Sequence, residues 1–226
     1  MEKHALHGQV VQEISRPTAE LLKRFERHDT AKICDSMGGY GAVDYEIKPL
    51  ENNMRFVGAA LTVLTRPGDA LYVQKAIDLT QPGDVIVIGA GGYKDVSVIG
   101  ERLGYFFKRK GAVAIVVDGA VRDAQGMVED APPTFARGSC IRIFGSQGPG
   151  AINVPLCCGG VAVNPGDIVV GDRDGVVVVP LSDAARIADL ADEHLEGELE
   201  RLAEVEAGKS ITETFRLTER IDKWAS

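Results

Sequence analysis

The sequence predicts an α/β fold, and three features predict it. The fully apolar run Val85–Ile88 and the buried-strand pattern AVAIVVDG at 112–119 bracket a helical stretch that ends at 110. That βαβ spacing predicts parallel strands joined by a right-handed crossover. Strands apolar at every position are buried on both faces. From Thr134 onward short strands replace the helices, and Asp174-Gly175 in IVVGDRDGVVVVP signals a hairpin.

The predicted elements run in order from the N-terminus. TAELLKRFERH (18–28) has helical spacing, with Leu21, Leu22 and Phe25 on one face and Thr18 as N-cap. Thr30 is the expected cap of a second short helix, AKICDSMGG, stopped by Gly38-Gly39. Residues 41–56 read as irregular and polar, and FVGAALTVLT (56–65) as a strand with a close backbone approach at Gly58. Pro67-Gly68 turns the chain, and Asp69 is expected to cap the next helix. Pro82-Gly83 turns it again before Val85–Ile88, and Pro165-Gly166-Asp167 a third time. A helix starts somewhere between 97 and 100. The chain closes with a long charged helix from LSDAARIADL onward and one further helix, SITETFRLTERIDKW. A helix this polar suits packing on a neighbouring subunit.

At 226 residues, 45% hydrophobic and 26% charged, the chain suits a single domain with a core about 29–180 and a helical extension about 182–226. A net charge of −8 repels phosphate backbones, which disfavours nucleic acid as a partner. No apolar run is long enough to span a bilayer and the N-terminus has no signal-peptide core, so no membrane partner and a cytoplasmic location are expected. Cys34, Cys140, Cys157 and Cys158 form no C-x-x-C pair and read as reduced packing thiols. His4, His7, His28 and His194 show no zinc spacing.

The chemistry concentrates in GGYKDVSVIGERLGYFFKRKGAVAIVVDGAVRD, from Gly91 to Asp123. Arg122 and Asp123 come directly after a buried strand. Consecutive strand residues point to opposite faces, so a turn at Gly119 is the expected device for bringing both to one pocket. Glu101 sits beside Gly100 near a helix start. If that helix starts at Gly100, the amides of Arg102 and Leu103 are free to meet an anion; if it starts at Ser97, they are engaged inside the helix. Gly89–Gly92 lacks the GxGxxG and P-loop patterns and reads as a close backbone wall for the pocket.

A carboxylate, twenty intervening residues and Arg-Asp resemble the motif of the family that contains class II 4-hydroxy-4-methyl-2-oxoglutarate (4-carboxy-4-hydroxy-2-oxoadipate) aldolases and the RraA-type regulators of ribonuclease E. The resemblance runs from about Asp29 to Gly208 and includes CDS at 34–36, FVGAALTV at 56–63, PGDALYVQKAIDLTQPGDVIVI at 67–88, GAVRD at 119–123 and DGVVVVP at 174–180. It implies a mixed, partly barrel-like sheet with flanking helices, of the swivelling phosphohistidine-domain type, in a trimer or hexamer with sites at subunit interfaces. It implies Asp123 as direct ligand of a divalent metal, Mg²⁺ or Mn²⁺, and Arg122 as the group that holds a 2-keto acid and balances its enolate. Glu101, usually Asp in the aldolases, would hold water on the metal. The Arg102 and Leu103 amides beside Gly100 would take the substrate carboxylate. Glu198 would reach the metal waters from an adjacent subunit, with Glu193, Glu196 and Glu200 close in sequence.

The implied activity is cleavage of a 4-hydroxy-2-keto dicarboxylic acid to pyruvate, with oxaloacetate decarboxylation through the same enolate. The alternative is a non-catalytic regulator that binds ribonuclease E; the presence of Asp123 favours the enzyme. A lysine Schiff base is disfavoured, because Lys108 and Lys110 end a charged helix segment. A methyltransferase label has no sequence support.

Overall fold

Both helices of the N-terminal region are started by side chains that the sequence displays. The computed structural model describes residues 8–225. In α1 (Ala19–Phe25) the Thr18 hydroxyl accepts from the Leu21 amide at 3.2 Å. α2 (Thr30–Ser36) is capped by Asp29 and not by Thr30: the Asp29 carboxylate accepts from the Lys32 amide at 2.7 Å. Asp29 has the extended dihedrals an N-cap needs, and the Thr30 hydroxyl donates instead to Asp172 at 2.7 Å.

β1 (Lys48–Pro49) is a two-residue strand inside the segment expected to be irregular. Next come β2 (Phe56–Thr65), α3 (Leu71–Leu79), β3 (Asp84–Gly89), β4 (Ser97–Ile99), α4 (Glu101–Arg109), β5 (Ala114–Val121) and α5 (Ala124–Asp130). The second half runs through β6 (Thr134–Ser139), β7 (Gly150–Ile152), β8 (Leu156–Cys158), β9 (Val161–Val163), β10 (Ile168–Asp172) and β11 (Gly175–Val179), then α6 (Ala184–Glu206), α7 (Ile211–Thr214) and α8 (Leu217–Ala225). The last two replace the single helix expected there, because Arg216 takes a left-handed φ of 49° between them.

The main sheet orders its strands β1-β6-β5-β3-β2-β10-β11, with β4 also on β5 and β7 also on β2. β2, β3, β5 and β6 pair in parallel, while β1, β7, β10 and β11 add antiparallel ladders. The two ends of this path meet: Lys48 on β1 donates to the Asp174 carbonyl in the β10–β11 turn. The result is a mixed, nearly closed barrel-like sheet with flanking helices. β8 and β9 form a separate hairpin.

Strand alternation sorts the apolar residues into layers. Val85, Val87, Ala114, Val116, Val169 and Val178 turn into the barrel, around the edge-to-face pair Phe56–Phe135 at 5.1 Å. Ile86, Ile88, Ile115 and Val117 turn outward onto α3, α4 and α5 through Val73, Ala76, Phe107 and Met127. Ile168, Val170, Val177 and Val179 meet α1, α2 and α6. Gly58 is required where it stands, since a Cβ there would lie 2.5 Å from the Gly83 carbonyl. The N-terminal segment is pinned by Arg16, whose guanidinium grips the fully buried Asp84 carboxylate at 2.8 and 3.0 Å. Among the described residues, no helix is long and apolar enough to cross a membrane.

Candidate active site

Strand register brings the two halves of the Gly91–Asp123 segment together. β4 lies parallel to β5 with Ile99 opposite Val121, and the Arg122 amide donates to the Ile99 carbonyl at 2.9 Å. Both strands therefore end at one level. Gly100-Glu101, leaving β4, and Arg122-Asp123, leaving β5, emerge side by side. Ligand sites in α/β sheets form at such carboxyl-terminal strand edges.

The turn expected at Gly119 is not there. β5 continues through Gly119 to Val121, with a one-residue bulge against β6 between Val117 and Ala120, and the break falls at Asp123, with φ 54° and ψ 46°. A left-handed conformation costs a non-glycine residue about 1–2 kcal/mol, and Asp tolerates it better than most. One consequence is visible. Asp123 is the N-cap of α5, yet its side chain makes no capping bond, because capping needs the extended dihedrals Asp123 lacks. Its carboxylate lies instead 3.4 Å from Nε of Arg122 and over the α carbon of Gly100.

Glycines make the room. A Cβ on Gly100 would lie 2.6 Å from Asp123 Oδ2 and 2.8 Å from Arg122 Cγ. A Cβ on Gly126 would lie 2.3 Å from Oε2 of Glu101, so the Glu101 side chain folds over the first turn of α5. α4 begins at Glu101 with Gly100 as its N-cap, and Ser97–Ile99 is strand. The Leu103 amide bends back to the Gly100 carbonyl at 3.1 Å. Of the two amides expected to face an anion, that of Arg102 has no acceptor among the described residues; the amide of Glu101 beside it has none either.

Gly100, Glu101, Arg102, Leu103, Arg122 and Asp123 thus line one cleft of about 390 Å³. Its other wall, which no motif announces, is made by Ala70 and Gln74 of α3 and by Ile143, Gly145 and Ser146. That loop is held from both ends. Ser97 donates through its amide and hydroxyl to the Arg142 carbonyl, each at 2.8 Å. Buried Asp69 accepts from the amides of Gln147 and Gly148 at 2.8 Å, and from Leu71 at 2.9 Å. Asp69 stands one residue ahead of the α3 N-cap, Ala70, so its work is mostly to fix the loop. Burial pushes its carboxyl up, but the three amide donors outweigh burial and hold it below the ordinary carboxylate range.

Glu198 is elsewhere in its own chain. It projects from α6 and pairs with Lys32 at 2.6 Å. The Gly89–Gly92 run does not line the cleft. Gly92 packs on a buried ion pair in which Arg137 meets Asp118 at 2.6 Å and also Asp44 and Glu46, a cluster that ties the β5–β6 ladder to the segment before β1. Cys158 is buried, and burial pushes its thiol up, whereas Cys157 is exposed. Buried His28 reaches Asp192 at 2.9 Å and His194 meets Ser36 at 3.1 Å; His4 and His7 lie outside the described residues.

The donor set of the cleft suits a hard, hydrated cation. Among the described residues, no amide engages the carboxylate oxygens of Asp123 and Glu101, and no third His, Cys, Asp or Glu joins them into a closed cluster. Mg²⁺ is held by one or two carboxylates and keeps several waters, whereas a structural zinc site needs four protein ligands.

Comparison with known proteins gives a consistent result. The model of the RraA-like family (Aldolase/RraA) matches residues 30–178. A protein of Halalkalibacterium halodurans named "Putative 4-hydroxy-4-methyl-2-oxoglutarate aldolase" is 40% identical over 167 residues, which are 74% of this chain and 80% of that protein. Streptomyces coelicolor RraAS2, described as an unusual member of the RNase ES inhibitor RraA protein family, superposes with a TM-score of 0.75 at 34% identity, covering 83% of this chain and all of that one. An uncharacterized Pseudomonas syringae protein superposes with a TM-score of 0.77 at 29% identity, over 91% and 97% of the two chains.

Proposed function

This chain belongs to the RraA-like family, and from that premise we propose that its cleft cleaves a 4-hydroxy-2-keto dicarboxylic acid to pyruvate with a divalent metal, Mg²⁺ or Mn²⁺. The observation that carries the reading is the meeting of Arg122, Asp123 and Glu101 with free helix amides in one cleft. Relatives named as aldolases support the carbon–carbon lyase class.

Asp123 and Glu101 would hold the metal, Asp123 directly and Glu101 through water. Once bound, the ion supplies Lewis acidity toward the carboxylate and keto oxygens of a 2-keto acid. The amides of Glu101 and Arg102 receive the substrate carboxylate at the positive end of α4. A water ordered by Glu101 takes the proton of the C4 hydroxyl. The C4 oxygen becomes a carbonyl as the C3–C4 bond breaks. The electron pair moves onto C3 and the C2 oxygen, and the guanidinium of Arg122 compensates the charge that develops there. Protonation at C3 gives pyruvate. Oxaloacetate reaches the same enolate by losing carbon dioxide, so decarboxylation belongs to the same site.

The assembly we propose is a homotrimer or hexamer in which Glu198 approaches a neighbour's cleft. Glu198 would first have to leave Lys32. The four free thiols support a reducing compartment such as the cytoplasm.

The test couples pyruvate release from 4-hydroxy-4-methyl-2-oxoglutarate and from oxaloacetate to a reporter enzyme, with and without EDTA. Loss of activity with chelator, return with Mg²⁺ and abolition by Asp123→Ala are expected. Turnover that survives EDTA and is trapped by borohydride would replace the metal with a lysine. The second reading, a ribonuclease-binding regulator, has the likeness to RraAS2 in its favour. Absence of turnover together with direct inhibition of ribonuclease E would establish it.

A further inference from the structure

We infer, on the aldol-cleavage reading above, that the Arg102 side chain is the specificity-determining group that selects substrates carrying a second carboxylate beyond C4. Of the described residues lining the cleft, only Arg102 and Arg122 are cationic. Arg122 faces Asp123 at 3.4 Å. Arg102 has no carboxylate, carbonyl or aromatic partner among the described residues, although its chain neighbour is a glutamate. The reason is angular. Successive side chains on a helix diverge by about 100°, and Glu101 is turned aside over Gly126 of α5. Arg102 is exposed and stands among the residues that line the cleft.

An unpaired guanidinium in a cleft contributes nothing evident to the fold, and its planar fork matches a carboxylate. Its surroundings agree. Gln74 from α3 and Ser146 from the anchored loop line the same cleft, and neither side chain has a partner among the described residues. They supply neutral donors around a carboxylate that Arg102 neutralises. A single residue then serves both ends of the substrate. Its N–H meets the first carboxylate at the helix terminus, and its guanidinium, a side-chain length away, meets the second. A five-carbon diacid can bridge that separation; the corresponding monoacid leaves the guanidinium unanswered. Arg102 would thus select the 2-keto dicarboxylate of the reading above by the charge at its far end.

Two unreactive probes test this by isothermal titration calorimetry on the Mg²⁺-loaded protein: 2-oxoglutarate, a dianion without the 4-hydroxyl and so resistant to retro-aldol cleavage, and 2-oxopentanoate, a monoanion of the same chain length. A charge-assisted bidentate contact should make wild type prefer the dianion by about tenfold or more. Arg102→Gln should erase that preference while leaving 2-oxopentanoate affinity within about twofold. Arg102→Lys should restore part of it. In turnover of a hydroxy-keto diacid, Arg102→Gln should act mainly on KM. Equal wild-type affinities, or a variant that weakens both probes alike, would overturn the assignment of Arg102 even if pyruvate is still released. If no pyruvate is released and neither probe binds, the aldolase reading itself falls and takes this one with it.

Discussion

Oδ2 of Asp123 lies 2.6 Å from where a Cβ would stand on Gly100, so the glycine and the carboxylate share one space. Gly100 is in extended backbone, φ −146°, where any residue fits. Its glycine identity is therefore explained by the side chains above it and not by its own conformation.

Gly100→Ala separates site geometry from fold. The Asp123 and Arg122 side chains can swing aside, so stability should fall by no more than about 1 kcal/mol. Pyruvate release should fall up to about 100-fold, since a displacement of about 1 Å in reacting groups costs that much. Thermal melting and kcat/KM on the same preparation check it. Retained activity would mean that Asp123 acts from another position.

Gly126→Ala pushes in the opposite direction on the two readouts. Ala is favoured over Gly inside a helix by about 1 kcal/mol, yet its Cβ would meet Oε2 of Glu101 at 2.3 Å. A melting temperature equal to or above wild type, with impaired turnover, is expected. A stable and fully active variant would remove Glu101 from the mechanism.

Asp69→Asn tests the anchor of the loop wall. The carboxylate accepts from three backbone amides, and the amide replacement should cost about 1–3 kcal/mol at pH 7. The folded carboxyl lies below its ordinary value, so its stabilisation is complete above the unfolded pKa of about 3.9 and is lost as pH falls through the lower folded value. The stability gap between wild type and variant should therefore narrow below about pH 4. Urea midpoints at pH 7 and pH 3 measure it. A gap independent of pH would assign the effect to shape alone.

Arg16→Ala should be the most damaging change far from the cleft. It leaves the Asp84 carboxylate, which is fully buried, with the Gln81 amide at 2.8 Å as its remaining partner. Stranding a buried charge costs about 3–5 kcal/mol, readable as a lowered urea midpoint. A loss below about 1 kcal/mol would mean that water reaches Asp84 once Arg16 is gone.

Much of the frame was legible because local signals matched tertiary need. The bounds of β2 follow from its apolar run, Thr18 caps its helix, and the hairpin signalled by Asp174-Gly175 forms one residue earlier, with Arg173-Asp174 as its turn. The co-location of Arg122, Asp123 and the start of α4 followed from a spacing that the β4–β5 register explains. The features that escaped depend on distant partners. Asp29 displaced Thr30 as a cap because Asp172, far along the chain, engages the Thr30 hydroxyl. Ser97–Ile99 is strand because β5 lies beside it, in a run too short to show periodicity. α5 carries a glycine and no side-chain cap, so nothing announced it. The left-handed Asp123 is invisible for a similar reason: Gly119 is the residue able to break the strand, and there β5 only bulges against β6 and continues to Val121.

The lock between the Arg122 amide and the Ile99 carbonyl has a last consequence. The reactive edge is fastened to strands that are buried along their whole length, while α7 and α8 at the periphery carry largely exposed apolar residues. Warming should fray the tail first and leave catalysis untouched, until the central ladder parts and all activity disappears in one cooperative step.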